Sequence, residues 1–201
     1  MFEEIVKNIS NLTPFWIYVS LFGFSYIENV FPPSPSDLVV IIGGTLISNG
    51  TISFIPTLIL TSLGSVLGFL TLYFIGKQVD KKLIRAGKVK YISLEALEKA
   101  EAWFNKYGYF IILINRYLPG TRSVISFFAG LSELLLKKTA ILAFVSAITW
   151  NALIIWMGII FFDNVEFVDN MLATYSTIVL VIITSAVIFF VVRYFIKKKK
   201  K

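Results

Sequence analysis

The 201-residue chain contains no cysteine and no histidine. Without cysteine it has no disulfide, no thiolate nucleophile and no cysteine-based metal site. Without histidine it lacks the commonest metal ligand and the usual general base at neutral pH. The groups left for chemistry are carboxylates, arginines, hydroxyls and helix ends. We therefore expect no metal, no cofactor and no enzymatic activity; a lipid phosphatase of the common histidine-dependent type is the enzyme class that this composition argues against most directly.

Charged residues are also scarce. They make up 15% of the chain, whereas 57% of the residues are hydrophobic and the mean hydropathy is +0.79. Soluble domains are usually about 45–50% apolar and about 25% charged. The composition therefore predicts an all-α integral membrane protein.

The net charge of +7 has an uneven distribution. After Lys7, every lysine and arginine lies within residues 77–138 or 193–201. Such clustering is typical of cytoplasmic loops under the positive-inside rule, and it explains the charge without a nucleic-acid partner or a scaffolding role. The acidic segment 163–170 is expected outside, and the basic tail 196–201 places the C-terminus in the cytoplasm.

Long apolar runs predict about four transmembrane helices. These runs cover residues 14–30, 52–75, 139–162 and 171–195. Two amphipathic surface helices are predicted as well, an interfacial one in residues 1–13 and one from Ser93 within the basic segment 77–106. Gly64 and Gly68 form a small-residue stripe that favours close helix packing, either within the chain or between copies in a homo-oligomer.

Two further apolar segments are too short or too broken to span a membrane. Residues 33–48 follow Pro32, contain Pro33 and Pro35, and carry Gly43-Gly44 in an 11-residue apolar run. A helix cannot continue through these prolines, and 11 residues rise only about 16 Å. This segment is predicted to be a re-entrant hairpin within the first half of the chain, residues 14–76.

The second broken segment, residues 107–131, holds Arg116-Tyr117-Leu118-Pro119-Gly120-Thr121-Arg122. Pro119 and Gly120 predict two half-helices that meet at a break, with Gly130 in the second. Irregular backbone at membrane depth is tolerated only where protein or a water-filled cavity surrounds it. The orientation derived above makes the two hairpins enter from opposite faces, as in the inverted repeats of transporters.

Four charged residues lie in apolar surroundings: Glu28, Asp37, Arg116 and Arg122. Two carboxylates that merely neutralise two arginines are one interpretation, but buried pairs stabilise a fold poorly and intramembrane charges are usually functional. The other interpretation is a phosphate site, with the two guanidinium groups and the backbone at Gly120 and Thr121 as ligands. In it, Glu28 and Asp37 act as counter-charges that exchange protons.

Several motifs occur together in residues 25–160. They are Glu28 with Phe31-Pro32-Pro33-Ser34-Pro35-Ser36-Asp37 and Gly43-Gly44, then Gly64 and Gly68, Tyr107-Gly108, and the Arg116–Arg122 motif with Ala129-Gly130. Together they resemble the DedA family, also called the VTT-domain family. Asp37 stands where many members have glutamate.

The resemblance implies a multi-pass protein of the prokaryotic cytoplasmic membrane with two facing re-entrant hairpins. It also implies a flippase that moves a phosphate-bearing lipid, such as undecaprenyl phosphate or phosphatidylethanolamine, in a manner that depends on the proton gradient. The family's acidic and arginine pairs fall on Glu28, Asp37, Arg116 and Arg122. A proton-coupled exporter of small cationic or amphipathic compounds, which would bind to Glu28 and Asp37, is the alternative.

Overall fold

The computed structural model of the protein describes residues 13–31, 36–79, 94–117 and 121–160. Within these ranges the regular structure is helical and contains no strand. The elements are α1 (Pro14–Val30), α2 (Ser36–Ser48), α3 (Phe54–Lys77), α4 (Leu94–Tyr107), α5 (Phe110–Ile114), a 3₁₀ turn (Asn115–Tyr117), α6 (Arg122–Leu131) and α7 (Leu136–Ile160).

Two of these helices, α3 and α7, are long and apolar enough to cross a membrane. They correspond to the predicted spans 52–75 and 139–162. The first predicted span coincides with a third helix, α1, whose 17 residues rise about 25 Å and which is not one of the two described helices long enough to cross. The fourth span, the basic tail and residues 1–12 of the interfacial helix lie outside the described residues.

The two predicted hairpin segments contain short helices. The apolar helix α2 has 13 residues, and α6 has 10, so neither is long enough to span. The second segment is interrupted as expected, because α5 and the 3₁₀ turn end at Tyr117 and α6 begins at Arg122. The residues predicted to break the two segments, Pro32, Pro33, Pro35, Pro119 and Gly120, lie outside the described residues.

Glycines allow the long helices to approach closely. A Cβ on Gly64 or Gly68 of α3 would collide with the carbonyl oxygen of Phe22 or Tyr26 of α1. The small-residue stripe is therefore used within the chain for packing of α3 on α1. A homo-oligomer stays a prediction, and it would need another surface.

Each short helix packs on the long helix of the other half of the chain. In α2, Gly44 lies against Gly158 of α7, where a Cβ would be 2.8 Å from the Gly158 Cα. In α6, Gly130 lies against Tyr73 of α3, where a Cβ would be 2.6 Å from the carbonyl carbon. The two halves are thus interlocked by an exchange of their short helices.

Both short helices also end in the same way. Gly50 after α2 and Glu133 after α6 have positive φ, at 73° and 52°. In both caps the next amide donates to the carbonyl five residues back, Thr51 to Leu46 at 3.0 Å and Leu134 to Ala129 at 3.2 Å. This is the Schellman arrangement, which satisfies the free carbonyls of a helix end.

The predicted amphipathic surface helix is present as α4. Its buried residues Leu97 and Ala100 pack against Phe128 and Leu131 of α6, whereas Trp103 on the other side is exposed. On α1, α3 and α7, by contrast, many large apolar side chains are exposed, including Trp16, Ile55 and Trp156 at 57–62%. Apolar surface of that extent is suited to lipid and not to water.

Candidate functional site

Three of the four predicted charges meet in one cluster. Glu28 lies near the end of α1, Asp37 at the start of α2, and Arg122 is the first residue of α6. The Arg122 Nη2 atom is 2.8 Å from Asp37 Oδ2 and its Nη1 atom is 3.4 Å from Asp37 Oδ1. Nη1 also forms an ion pair with Glu28 Oε1. One guanidinium group therefore joins two carboxylates from two other helices.

The cluster is closed on one side and open on the other. Glu28 and Arg122 are buried, at 8% and 7% exposure. The side chain of Asp37 is 35% exposed in the same cluster. The cluster is therefore accessible to solvent from the Asp37 side.

Ser36 holds the second oxygen of Glu28. Its buried hydroxyl donates to Glu28 Oε2. Ser36 is the first residue of α2, and its hydroxyl is engaged by the carboxylate of another helix. The carboxylate of Glu28 thus has a partner for each oxygen.

Trp150 of α7 joins the cluster from the other half of the chain. Its Nε1 atom donates to Asp37 Oδ1 at 3.0 Å, and its ring centroid lies 5.6 Å from the Arg122 guanidinium carbon. The Tyr117 ring packs edge-on against it, with centroids 5.1 Å apart. Trp150 thus contacts both members of the ion pair, by a hydrogen bond and by a cation–π interaction.

Arg116 has a different environment from Arg122. Its Nη1 atom donates to Asn151 Oδ1 at 3.2 Å, and the Asn151 amide donates in turn to Ser62 at 3.2 Å. Among the described residues no carboxylate lies within ion-pair distance of this buried guanidinium. Its backbone carbonyl accepts a bond from Arg122 Nη2 at 3.2 Å, so the two arginines are adjacent. The pairing is therefore two carboxylates on one arginine, not one on each.

The remaining predicted site residues have other positions. Thr121 directly precedes α6, and its carbonyl accepts the Ile125 amide of the first helical turn at 2.8 Å. Gly44 and Gly130 lie where the short helices contact α7 and α3, and Gly43 lies against Leu21 of α1. These glycines position the helices that carry the charges and do not themselves contact the cluster.

The sequence did not reveal the roles of the uncharged members of the site. These are Ser36, which is a hydrogen-bond partner of Glu28, and Trp150, Asn151 and Ser62. For Asn151 a signal was available, because a buried amide in the middle of an apolar span needs a partner. For Trp150 there was none, since its partner Asp37 is 113 residues away in the sequence.

The site contains two guanidinium groups and two carboxyl groups, so its formal charges can balance, as a low-dielectric environment requires. An anion that displaces a carboxylate from Arg122 finds bidentate donors already in place.

The chain is similar in sequence to known proteins. The sequence model of the VTT domain matches residues 34–160. A Lactococcus lactis subsp. lactis (strain IL1403) protein named "Alkaline phosphatase-like protein" is 36% identical over 189 residues, which cover 90% of this chain and 86% of that protein. No solved structure matches the chain.

Two similar proteins are named "Undecaprenyl phosphate transporter A". The one from Bacillus subtilis (strain 168) is 30% identical over 149 residues, which cover 74% of this chain and 75% of that protein. The one from Staphylococcus aureus (strain NCTC 8325 / PS 47) is 29% identical over 170 residues, covering 82% and 84%.

Proposed function

Because this chain belongs to the VTT-domain (DedA) family, we propose that it is a bacterial membrane transporter that moves a phosphate-bearing lipid across the cytoplasmic membrane. Undecaprenyl phosphate is the first candidate, since two relatives carry that substrate in their names. Phosphatidylethanolamine is the second. The headgroup binds at Arg116 and Arg122, and the tail stays in the bilayer beside the exposed apolar faces of α1, α3 and α7.

The observation that carries this proposal is the pair of adjacent buried arginines with unequal partners. Arg122 is bound to two carboxylates, whereas Arg116 is held by the neutral amide of Asn151. A buried cation without a carboxylate partner is unfavourable unless an anion reaches it during function. A phosphate group provides that anion, and it binds guanidinium groups in bidentate geometry.

The charge balance suggests how protons enter the cycle. In the unloaded state Glu28 and Asp37 neutralise the arginines. When a phosphate takes their place, the site gains negative charge in a medium that disfavours it, and protonation of a carboxylate restores neutrality. The more exposed Asp37 exchanges first, and Glu28 follows. This gives transport a dependence on the proton gradient.

The same proposal includes the predicted membrane arrangement of about four spans and two re-entrant hairpins in an inverted repeat. The exchanged packing of α2 and α6, together with their matching caps at Gly50 and Glu133, supports it. Asp37 and Arg122 at the starts of the two short helices meet in one ion pair, as facing hairpin tips would. The C-terminus lies in the cytoplasm in this arrangement.

The name of the Lactococcus relatives raises phosphate-ester hydrolysis as a second possibility. One contact favours it, the Ser36 hydroxyl that donates to the Glu28 carboxylate beside Arg122. A hydroxyl nucleophile needs a base of this kind. The chain has no histidine or cysteine to add to that pair, so we place transport first and measure phosphate release alongside it.

The test is a proteoliposome assay that follows undecaprenyl phosphate and phosphatidylethanolamine across the bilayer, with and without a pH gradient. We expect Arg116→Ala and Arg122→Ala to abolish movement of the lipid, and Arg122→Lys to lower its rate at least tenfold. Lysine keeps the charge but loses the fork that engages two oxygens at once. Lys99→Ala, at an exposed surface pair with Glu95, is the matched control.

Two outcomes would contradict the proposal. Full activity of Arg122→Lys would show that net charge alone matters at this position. Failure of the folded wild type to move either lipid would favour the exporter that binds cations at Glu28 and Asp37, which Glu28→Gln and Asp37→Asn would then inactivate. Inorganic phosphate released in the same assay, and lost in Ser36→Ala, would favour the hydrolase.

A further inference from the structure

A small cavity of about 10 Å³ lies beside Arg116, between α1, α3, the 3₁₀ turn and α7. Five polar residues face it: Asn29, Ser65, Asn115, Arg116 and Ser146. It is separate from the ion-pair cluster, since neither carboxylate nor Arg122 lines it. A cavity of this size holds about one water molecule.

Three atoms of the cavity residues lack a hydrogen-bond partner. They are the Asn115 Oδ1, the Arg116 Nη2 and the Ser146 Oγ atoms. The three residues are only 2%, 5% and 1% exposed. Buried polar groups in native proteins are nearly always paired, with protein or with an ordered water.

The coincidence of these atoms with the cavity is informative. In the described part of the chain six buried side-chain atoms are unpartnered, and three of them belong to residues that line this one space. The other three, on Ser25, Arg122 and Thr139, do not. One occupant of the cavity would therefore satisfy half of the unpaired atoms.

The chemistry of the three atoms selects the occupant. Arg116 Nη2 can only donate, so the occupant must accept a hydrogen bond. Asn115 Oδ1 can only accept, so the occupant must also donate one, which a halide or a deprotonated phosphate oxygen does not do. The Ser146 hydroxyl can do either. We propose that this cavity is a binding site for one structural water molecule held by Arg116, Asn115 and Ser146.

The water has a positioning role for Arg116. With Asn151 on one terminal nitrogen and the water on the other, the guanidinium group is fixed in direction without any carboxylate. Residues of both the 3₁₀ turn and α7 line the site, so the water also links the broken hairpin to the long helix. The water site does not rest on the transport function, because it concerns the resting protein alone, whereas its effect on lipid affinity rests on the function proposed above.

The direct test is an experimental structure of the full chain at a resolution that shows ordered waters, determined from protein kept in sodium bromide. We expect one spherical peak within about 2.7–3.2 Å of the three atoms, without anomalous bromide signal. An anomalous peak would show that the occupant of the cavity is an anion, and this would contradict the water site. Absence of any peak would overturn the site.

A pair of matched substitutions tests the site in solution. Ser146→Ala removes a hydroxyl that lines the cavity, and Ser25→Ala removes a buried, unpartnered hydroxyl on α1 that does not. If the water is present, Ser146→Ala loses a bond and its melting temperature falls by about 2–4 °C. Ser25→Ala removes only an unsatisfied group, so its melting temperature stays or rises.

Equal melting temperatures in the two variants, or a Ser146→Ala melting temperature that is unchanged or raised relative to the wild type, would contradict the water site. A positioning role predicts one further difference. In the proteoliposome assay Ser146→Ala should weaken the apparent affinity for the lipid with little change in its maximal rate, since Arg116 is present but less well fixed. A general loss of stability would instead lower the maximal rate, because less protein is folded, and would leave the apparent affinity unchanged.

Discussion

At the scale of single residues, the site consists of charged residues that the sequence reveals and neutral ones that it hides. Charges in apolar runs are rare, so Glu28, Asp37, Arg116 and Arg122 could be identified from sequence alone. Their neutral partners were harder to assign. The amide of Asn151 in an apolar span indicates a buried partner but not which one, and the contacts of Trp150 and Asn151 join residues 113 and 89 positions apart.

Trp150→Phe tests whether one of these neutral partners matters. Phenylalanine keeps an aromatic ring beside Arg122 but loses the indole N–H that donates to Asp37. We expect the initial rate of lipid movement to change about 3- to 10-fold, which corresponds to the loss of one hydrogen bond of roughly 1 kcal/mol. The fold should be retained. Initial transport rates and melting temperatures measure the two effects.

Trp156→Phe is the control for this substitution. Trp156 lies on the same helix but is 62% exposed, on the face suited to lipid. Its replacement should leave the rate within about twofold of the wild type, because surface substitutions have small effects. Equal losses in both variants would mean that the indole ring contributes through the membrane surface and not through Asp37.

At the scale of helices, boundaries were predictable and packing was not. Hydropathy predicted the bounds of the three helices α1, α3 and α7 to within three residues at either end, and two of them, α3 and α7, are long enough to cross a membrane. Which helix meets which depends on small residues far apart in sequence. That Gly44 would face Gly158, and Gly130 would face Tyr73, had no local signal. The positive φ of Glu133 was equally hidden, because such a position usually favours glycine.

Gly130→Ala should therefore be strongly destabilising. Its Cβ would lie 2.6 Å from the Tyr73 carbonyl carbon, so α6 must move away from α3. We expect a loss of about 1–3 kcal/mol in the free energy of unfolding, as for other overpacked sites. Thermal or chemical denaturation in detergent measures it.

Gly23→Ala supplies the contrast. Gly23 lies inside α1 and has nothing within 4 Å of an added Cβ. Alanine favours a helix over glycine by about 0.5–1 kcal/mol, so this variant should be as stable as the wild type or more so. Similar losses in the two variants would mean that helix contact at Gly130 is not the cause.

At the scale of the whole molecule, the interlocked halves predict opposite orientations for two exposed turns. The turn after α2 contains Asn49, and the turn after α6 contains Leu135. In an inverted repeat the first faces the outside and the second faces the cytoplasm. The absence of native cysteine makes labelling of single cysteines free of background.

We expect a membrane-impermeant maleimide to label Asn49→Cys in intact cells and Leu135→Cys only after the membrane is opened. Val145→Cys, exposed on the apolar surface of α7, should react poorly in both conditions because the thiol lies in lipid. Labelling of Asn49→Cys and Leu135→Cys from the same side would disprove the inverted arrangement.

The ion cluster also has a consequence for biosynthesis. Arg122 follows Glu28 by 94 residues and Asp37 by 85. At about 5–20 residues per second, a ribosome makes the arginine roughly 5–20 s after the first carboxylate. Until then neither carboxylate has the guanidinium group that neutralises it in the mature protein. The first half of the chain must therefore enter the membrane, or wait at its surface, with two uncompensated acids, and we expect closure of this cluster to be among the last steps of assembly.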